Sequence, residues 1–137
     1  MKRQAGQDIK RRISRVFIAR SDQDKSRILA YYSLSTLSID LSILPEQFAR
    51  KLPKHPIPAA LIGRLAVDTS AQSQGIGNML LSNAIQRALA VSHDIAIYAI
   101  VVDAIDAKAE RSYMQSGFAR LTSDGKRKRL FLPLRAI

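Results

Sequence analysis

The sequence contains no cysteine and no tryptophan, only two histidines, and aromatics make up 6% of its 137 residues. Without cysteine there is no disulfide, no thiolate zinc site and no thiol nucleophile, which fits a reducing compartment. His55 and His93 are far apart and no ligand-spacing pattern joins them, so both read as surface or structural residues and no metal is expected. The scarcity of aromatics argues against a stacking platform for single-stranded RNA. No apolar run approaches the roughly 20 residues that cross a bilayer, and the basic first residues are not followed by a hydrophobic stretch. Neither a membrane span nor a signal peptide is expected, and the cytoplasm is the expected location.

What the sequence has in excess is positive charge. Twenty-two Lys and Arg against 11 Asp and Glu leave a formal net charge of +11, an excess that draws polyanions and speeds encounter with them. The cations cluster at both ends: Lys2, Arg3, Lys10, Arg11, Arg12 and Arg15 near the start, Lys126, Arg127, Lys128, Arg129 and Arg135 near the finish. That distribution reads as a functional patch more readily than as a solvated surface. With 47% apolar residues the chain can bury a core, and its length suits one α/β domain over residues 1–137.

Ala5, Ile9 and Ile13 recur every fourth position among charges, which predicts a short amphipathic helix. Arg15–Arg20 and Ile28–Ile39 read as two strands of a hairpin turning through Asp22–Ser26. Pro45 introduces a short helix, Glu46–Leu52, and Pro53, Pro56 and Pro58 then hold the chain extended as a surface excursion. Leu61–Val67 is the next strand. The helix after Gly75 places Ile76, Leu80, Leu81, Ala84, Ile85, Ala88 and Leu89 on one face, with Asn78, Ser82, Asn83, Gln86 and Arg87 toward water. Ile95–Val102 is nearly continuously apolar, as a mid-sheet strand covered on both faces would be. Asp106–Ser116 reads as a helix capped by Gly117, followed by closing strands Phe118–Leu121 and Leu130–Leu134 joined across residues 122–125.

Chemistry concentrates where the run Leu61-Ile62-Gly63-Arg64-Leu65-Ala66-Val67-Asp68 gives way to Gln72-Ser73-Gln74-Gly75-Ile76-Gly77 and then to the helix opening Asn78-Met79-Leu80-Leu81. Peptide N–H groups without bulky side chains converge there on a helix N-terminus carrying about half a unit of positive charge, a cradle suited to a pyrophosphate. The turn lacks the Lys-Ser/Thr of a P-loop, so it has no metal-binding hydroxyl for nucleotide hydrolysis. It also lacks the third Gly and the acidic residue of a dinucleotide fold. A cofactor held by its pyrophosphate, with the reactive end elsewhere, is what remains.

Gln72-x-x-Gly75-x-Gly77 after a strand ending Ala66-Val67-Asp68, together with Tyr113-Met114-Gln115-Ser116-Gly117-Phe118, resembles the GNAT family of acetyl-coenzyme A dependent N-acetyltransferases over nearly the whole chain. Gly63–Asp68 and the Tyr-x-x-x-Gly-Phe segment are similar to the GNAT toxins of toxin–antitoxin modules, which acetylate aminoacyl-tRNA and block translation. The resemblance implies a mixed α+β fold: a central, mostly antiparallel sheet with a splayed parallel strand pair, flanked by helices. It implies acetyl-coenzyme A as cofactor, with Leu65, Ala66 and Val67 along the pantetheine and Gln72, Ser73, Gln74, Gly75, Ile76, Gly77 and Asn78 at the pyrophosphate. Ser73 stands where many relatives carry a further Gly, and Asn78 where many carry a basic residue. Tyr113 matches the family's tyrosine near the thioester sulfur, where a phenol protonates a departing thiolate or orients the carbonyl. From the pattern alone Tyr113 could equally pack its helix onto the sheet.

No Asp or Glu lies within Leu61–Val67 to act as base, and Asp68 reads as a brace for the turn. That suits an α-amino acceptor, whose pKa of about 7.7–8.0 leaves a useful neutral fraction at pH 7, better than a lysine at about 10.4. Arg64 interrupts an apolar strand and is assigned to substrate phosphate or to positioning the site, ahead of a structural salt bridge. Asp103 is placed on the acceptor side, and Lys126, Arg127, Lys128 and Arg129 along the acceptor stem of tRNA, as contacts that position without reading sequence. The resemblance also implies a ribbon-helix-helix antitoxin and a homodimer. The toxin subgroup carries a leading strand and helix before the segment matching Gln4–Ile13, and this sequence begins after them; apolar surface left there is expected to be covered by a partner. Two other readings are a GNAT enzyme for a protein or small-molecule amine, and a nonenzymatic RNA-binding scaffold.

Overall fold

The computed structural model describes residues 2–7, 14–40, 42, 44–52, 56–68, 75–121 and 128–136. In chain order these form β1 (Lys2–Gln7), β2 (Ser14–Arg20), β3 (Ile28–Ile39), α1 (Glu46–Ala49), β4 (Ile57–Val67), α2 (Ile76–Ser92), β5 (Ala99–Ala104), α3 (Ala107–Gln115), β6 (Ala119–Arg120) and β7 (Lys128–Pro133), with a closing 3₁₀ turn at Leu134–Ala136. The seven strands make one sheet in the order β1-β2-β3-β4-β5-β7-β6. Only β4 and β5 run parallel; every other neighbouring pair is antiparallel. That is the mixed α/β sheet expected from the sequence, including its single parallel pair.

Each face of the sheet has its own core. Tyr32, Ile62, Leu80, Ile100, Val102 and Leu130 pack together under α2 and α3. On the opposite face Ile39, Leu44, Ile57, Val101 and Phe131 form a second cluster with Phe48 of α1, whose ring meets Phe131 edge-on at 5.1 Å. Four consecutive β5 residues, Ala99–Val102, are buried because alternate side chains enter the two cores in turn. No helix among the described residues is long and apolar enough to cross a membrane.

Where the expected amphipathic helix would begin, the chain is a strand. Ala5 lies in β1, opposite Phe17 of β2, while Ile9 and Ile13 fall outside the described residues. Three apolar positions give a helix little to bury, whereas the open edge of β2 offers a full ladder of hydrogen bonds, so long-range pairing overrides the local period. β4 begins at Ile57, four residues before the expected Leu61. Pro58 is accepted inside it because a proline keeps its carbonyl, which here takes the Tyr98 N–H at 2.9 Å. β5 begins at Ala99 and not at Ile95, which is 64% exposed in the loop after α2.

Two residues of α2 expected to face water do more. Tyr32 is fully buried and donates its hydroxyl hydrogen to Oδ1 of Asn83. Arg87 Nε donates to the same oxygen at 3.1 Å and lies over the Phe17 ring, 4.0 Å from its centroid. A buried phenol needs a partner, and this polar clasp fixes α2 against β2 and β3.

Candidate active site

Gly63 determines where the sheet opens. On β3 the consecutive residues Ser33 and Leu34 face Arg64 and Ile62, so Gly63 is the extra residue of a β-bulge. The bulge changes the alternation: Ala60 and Ile62 before it, and Leu65 and Val67 after it, all belong to the helix-side core. Pairing with β5 ends at Ile62 and Val102, immediately before the bulge. β4 continues with β3 and β5 continues with β7, so the parallel strands part company.

A cavity of about 520 Å³ fills the divergence. Its walls are Gly63, Leu65 and Ala66 of β4, Gly77, Asn78 and Leu81 of α2, Asp103 at the end of β5 with Ile105 beyond it, and Ala109, Ser112 and Tyr113 of α3, with Tyr31 from β3. At one end stands the N-terminus of α2. Gly75 caps it in the left-handed region, φ 74°, with no side-chain cap among the described residues and no acidic residue in the first turn. A Cβ at Gly75 would touch nothing within 4 Å, so the backbone conformation, and not space, selects glycine. An anion can therefore meet the helix dipole without a competing carboxylate.

At the other end stands Tyr113, only 9% exposed, with its ring centroid 5.7 Å from that of Phe118. The Asp106 side chain caps α3 by accepting the Ala109 N–H at 2.8 Å, and Gly117, φ 103°, follows the end of the helix. Burial pushes the Tyr113 phenol above its ordinary pKa of 10.0, and the negative charge of Asp103 adds to the shift. Asp103 itself is clasped by Arg129, with Nε to Oδ1 at 2.7 Å and Nη2 to Oδ2 at 3.1 Å.

The fold thus brings together Leu65, Ala66, Gly77, Asn78, Asp103 and Tyr113 around one cavity. The side chain of Ile76 belongs to the helix-side core, as does that of Val67. Arg64 pairs with Ser33 just beyond the bulge. Lys128 is exposed at the start of β7, and Arg129 turns to Asp103. Gln72, Ser73, Gln74, Lys126 and Arg127 fall outside the described residues. Asp68 braces the chain: its N–H reaches the Leu29 carbonyl at 2.7 Å and its carboxylate lies 3.6 Å from Arg27.

Tyr31, Ser112, Leu81, Ile105, Ala109 and Gly63 were not singled out as site residues by the sequence. A signal existed for two of them. A glycine inside a strand marks a bulge, and of two adjacent strand tyrosines one must face away from the core that holds the other.

Residues 57–133 match the acetyltransferase (GNAT) domain family. The tRNA-acetylating toxin of Mycobacterium tuberculosis is 33% identical over 105 residues, which are 77% of this chain and 61% of that protein. The chain therefore spans about six-tenths of the length of that relative. The solved structure of AtaT complexed with acetyl-methionyl-tRNAfMet superposes with a TM-score of 0.84 at 29% identity, covering 93% of this chain and 75% of that one. A mutant AtaT toxin bound to the C-terminus of the antitoxin AtaR and acetyl-CoA superposes at 0.71 with 26% identity, covering 90% and 69%.

Proposed function

This chain belongs to the GNAT acetyltransferase family, and from that premise we propose that it transfers acetyl from coenzyme A to the α-amino group of an aminoacyl-tRNA, arresting translation in the cytoplasm. One observation carries the reading: the parting of β4 from β5 opens a cavity that runs from an uncapped helix N-terminus to a buried tyrosine. Acetyl-coenzyme A fits this arrangement, because a long, thin cofactor with an anionic middle and a reactive end needs a slot with an anion cradle at one side. When bound it supplies the thioester-activated acetyl group.

The residues divide the work. The peptide N–H groups at Gly75–Asn78 receive the diphosphate, joined by Gln72, Ser73 and Gln74. Leu65 and Ala66 line the pantetheine, with Val67 supplying backbone. Tyr113 is the catalytic residue: its phenol, which burial holds above its ordinary pKa, carries its proton at neutral pH and can give it to a departing thiolate. β4 carries no carboxylate, and an α-amino group near pKa about 8 needs little help to lose its proton. Arg64, Lys126, Arg127 and Lys128 provide cations for the phosphates of the tRNA.

The AtaT neighbours support both the RNA and a protein partner, since one was solved with an acetylated aminoacyl-tRNA and another with its antitoxin's C-terminus. A ribbon-helix-helix antitoxin whose tail crosses the basic surface, and a homodimer, complete the proposal. The test is a survey of acceptors with radiolabelled acetyl-coenzyme A. Label entering charged tRNA, and not deacylated tRNA, is expected. Label entering only peptides or polyamines would replace the acceptor, and failure to bind coenzyme A in a titration would favour an inert RNA-binding scaffold.

A further inference from the structure

We propose that Asp103, clamped by Arg129, is the positioning residue that receives the acceptor's primary ammonium across the cavity from Tyr113. The inference rests on the acetyl-transfer reading and deepens it by assigning the acceptor's binding group.

Strand alternation sets the placement. Ala99 and Val101 of β5 enter the α1-side core, while Ile100 and Val102 enter the core beneath α2 and α3. Asp103 continues the series of Ala99 and Val101, on the face opposite Tyr113, which belongs to the α2/α3 side. Inside an intact sheet the two could not share a space. Asp103 stands one residue beyond the last β4–β5 pair, where the strands have separated, and so both residues line the same cavity. The cofactor cradle at the start of α2 opens on the Tyr113 side. An acceptor held at Asp103 therefore stands across the cavity from the cradle, and its ammonium gives one proton to water before the amine adds to the thioester carbonyl.

The ion pair explains how a carboxylate can wait there. Asp103 and Arg129 are register partners on β5 and β7, and the guanidinium fork engages both carboxylate oxygens at 2.7 and 3.1 Å. Two parallel hydrogen bonds fix the carboxylate plane and leave a lone pair on each oxygen for another donor. The side chains are only 28% and 24% exposed, so solvent reaches them from a restricted direction. An ammonium satisfies such an acceptor with charge and N–H together; a hydroxyl brings one hydrogen and no charge. The arrangement gives Arg129 a task separate from the cations around it, because it orients Asp103 and does not follow the RNA backbone.

The experiment measures steady-state acetylation of a pool of charged tRNA. Asp103→Asn is expected to raise KM for charged tRNA about tenfold, the scale of one charged hydrogen bond, with kcat within about threefold and coenzyme A affinity unchanged. Arg129→Lys, which keeps the charge and loses the fork, is expected to raise the same KM by less. An unchanged KM in Asp103→Asn, or a loss confined to kcat, overturns the proposal. A measurement on the unmodified protein guards against misfolded variants: tRNA carrying an α-hydroxy acid should inhibit with a Ki about tenfold above the KM of its amino counterpart. Equal values overturn the proposal. If the unmodified protein leaves charged tRNA unlabelled, the tRNA reading falls separately. Asp103 is then read from calorimetric binding of methionine amide and its α-hydroxy analogue to the coenzyme A complex; a preference for the amine that Asp103→Asn abolishes sustains the inference, and no preference ends it.

Discussion

Tyr113 combines a buried ring with a place in the cavity wall, where its hydroxyl is the proposed proton donor. Its ring packs against Phe118 at 5.7 Å while the residue lines the cavity. If Oη supplies a proton in the transfer, Tyr113→Phe should lower kcat by about two orders of magnitude, the lower end of general-acid contributions. Coenzyme A affinity should stay within twofold, and growth inhibition on expression should be relieved; retained kcat would remove the phenol from the chemistry. The pH dependence has a definite sign. Because the folded protein holds the phenol above its ordinary 10.0, the protonated form and the stability it confers persist below that value and are lost as pH rises through the folded pKa. Tyrosinate absorbance, taken as the difference from Tyr113→Phe, should therefore titrate above pH 10.0. Asp103→Asn should lower that midpoint without restoring the ordinary value, since burial is the larger cause. Tyr113 could be picked from its Tyr-x-x-x-Gly-Phe setting. The partnership of Asp103 with Arg129 could not, because 26 residues separate them and only the β5–β7 register makes them neighbours.

Among the elements, β4 decides whether there is a site at all. A Cβ built on Gly63 would lie 2.9 Å from Ser33 Oγ, too close unless the serine side chain turns. Gly63→Ala should destabilise the fold by about 1 kcal/mol in denaturant titrations, a typical cost of mild overpacking. Ser33→Ala in the same chain should recover most of that loss, since it removes the atom in the way; an additive double variant would refute the contact. α2 and α3 were legible with nearly their observed ends, for one has a long apolar stripe and the other an Asp cap and a terminal Gly. Strand boundaries were less so. Ile95 is apolar yet lies in a loop, and Ala5 belongs to a strand because β2 has an edge to fill; neither fact is local. Asn83 reads as a solvent-facing residue until Tyr32, 51 positions away, needs an acceptor.

Taken as a whole, a molecule with a formal charge of +11 should depend strongly on salt when its substrate is a polyanion. For charged tRNA, log KM should rise with log salt at a slope of about one per phosphate neutralised, and a slope of several units is expected. For methionine amide, which displaces no condensed counterions, the slope should be near zero. Equal slopes for the two acceptors would deny the basic surface a part in RNA binding.

The amino-acid sequence determined by itself the alternation of strands and helices, the two helices that flank the cavity, the glycine turn at the start of α2 and the candidate tyrosine, because each rests on neighbours within a few positions: an apolar period, a cap, a turn. It also set the charge, which needs no fold to be counted. Only the tertiary structure decided that β4 leaves β5 after Ile62, that Asp103 and Tyr113 share one cavity from opposite faces, and that Arg129 serves Asp103. These depend on register between distant strands, and register is settled by the packing of both cores together, which no short stretch of residues contains.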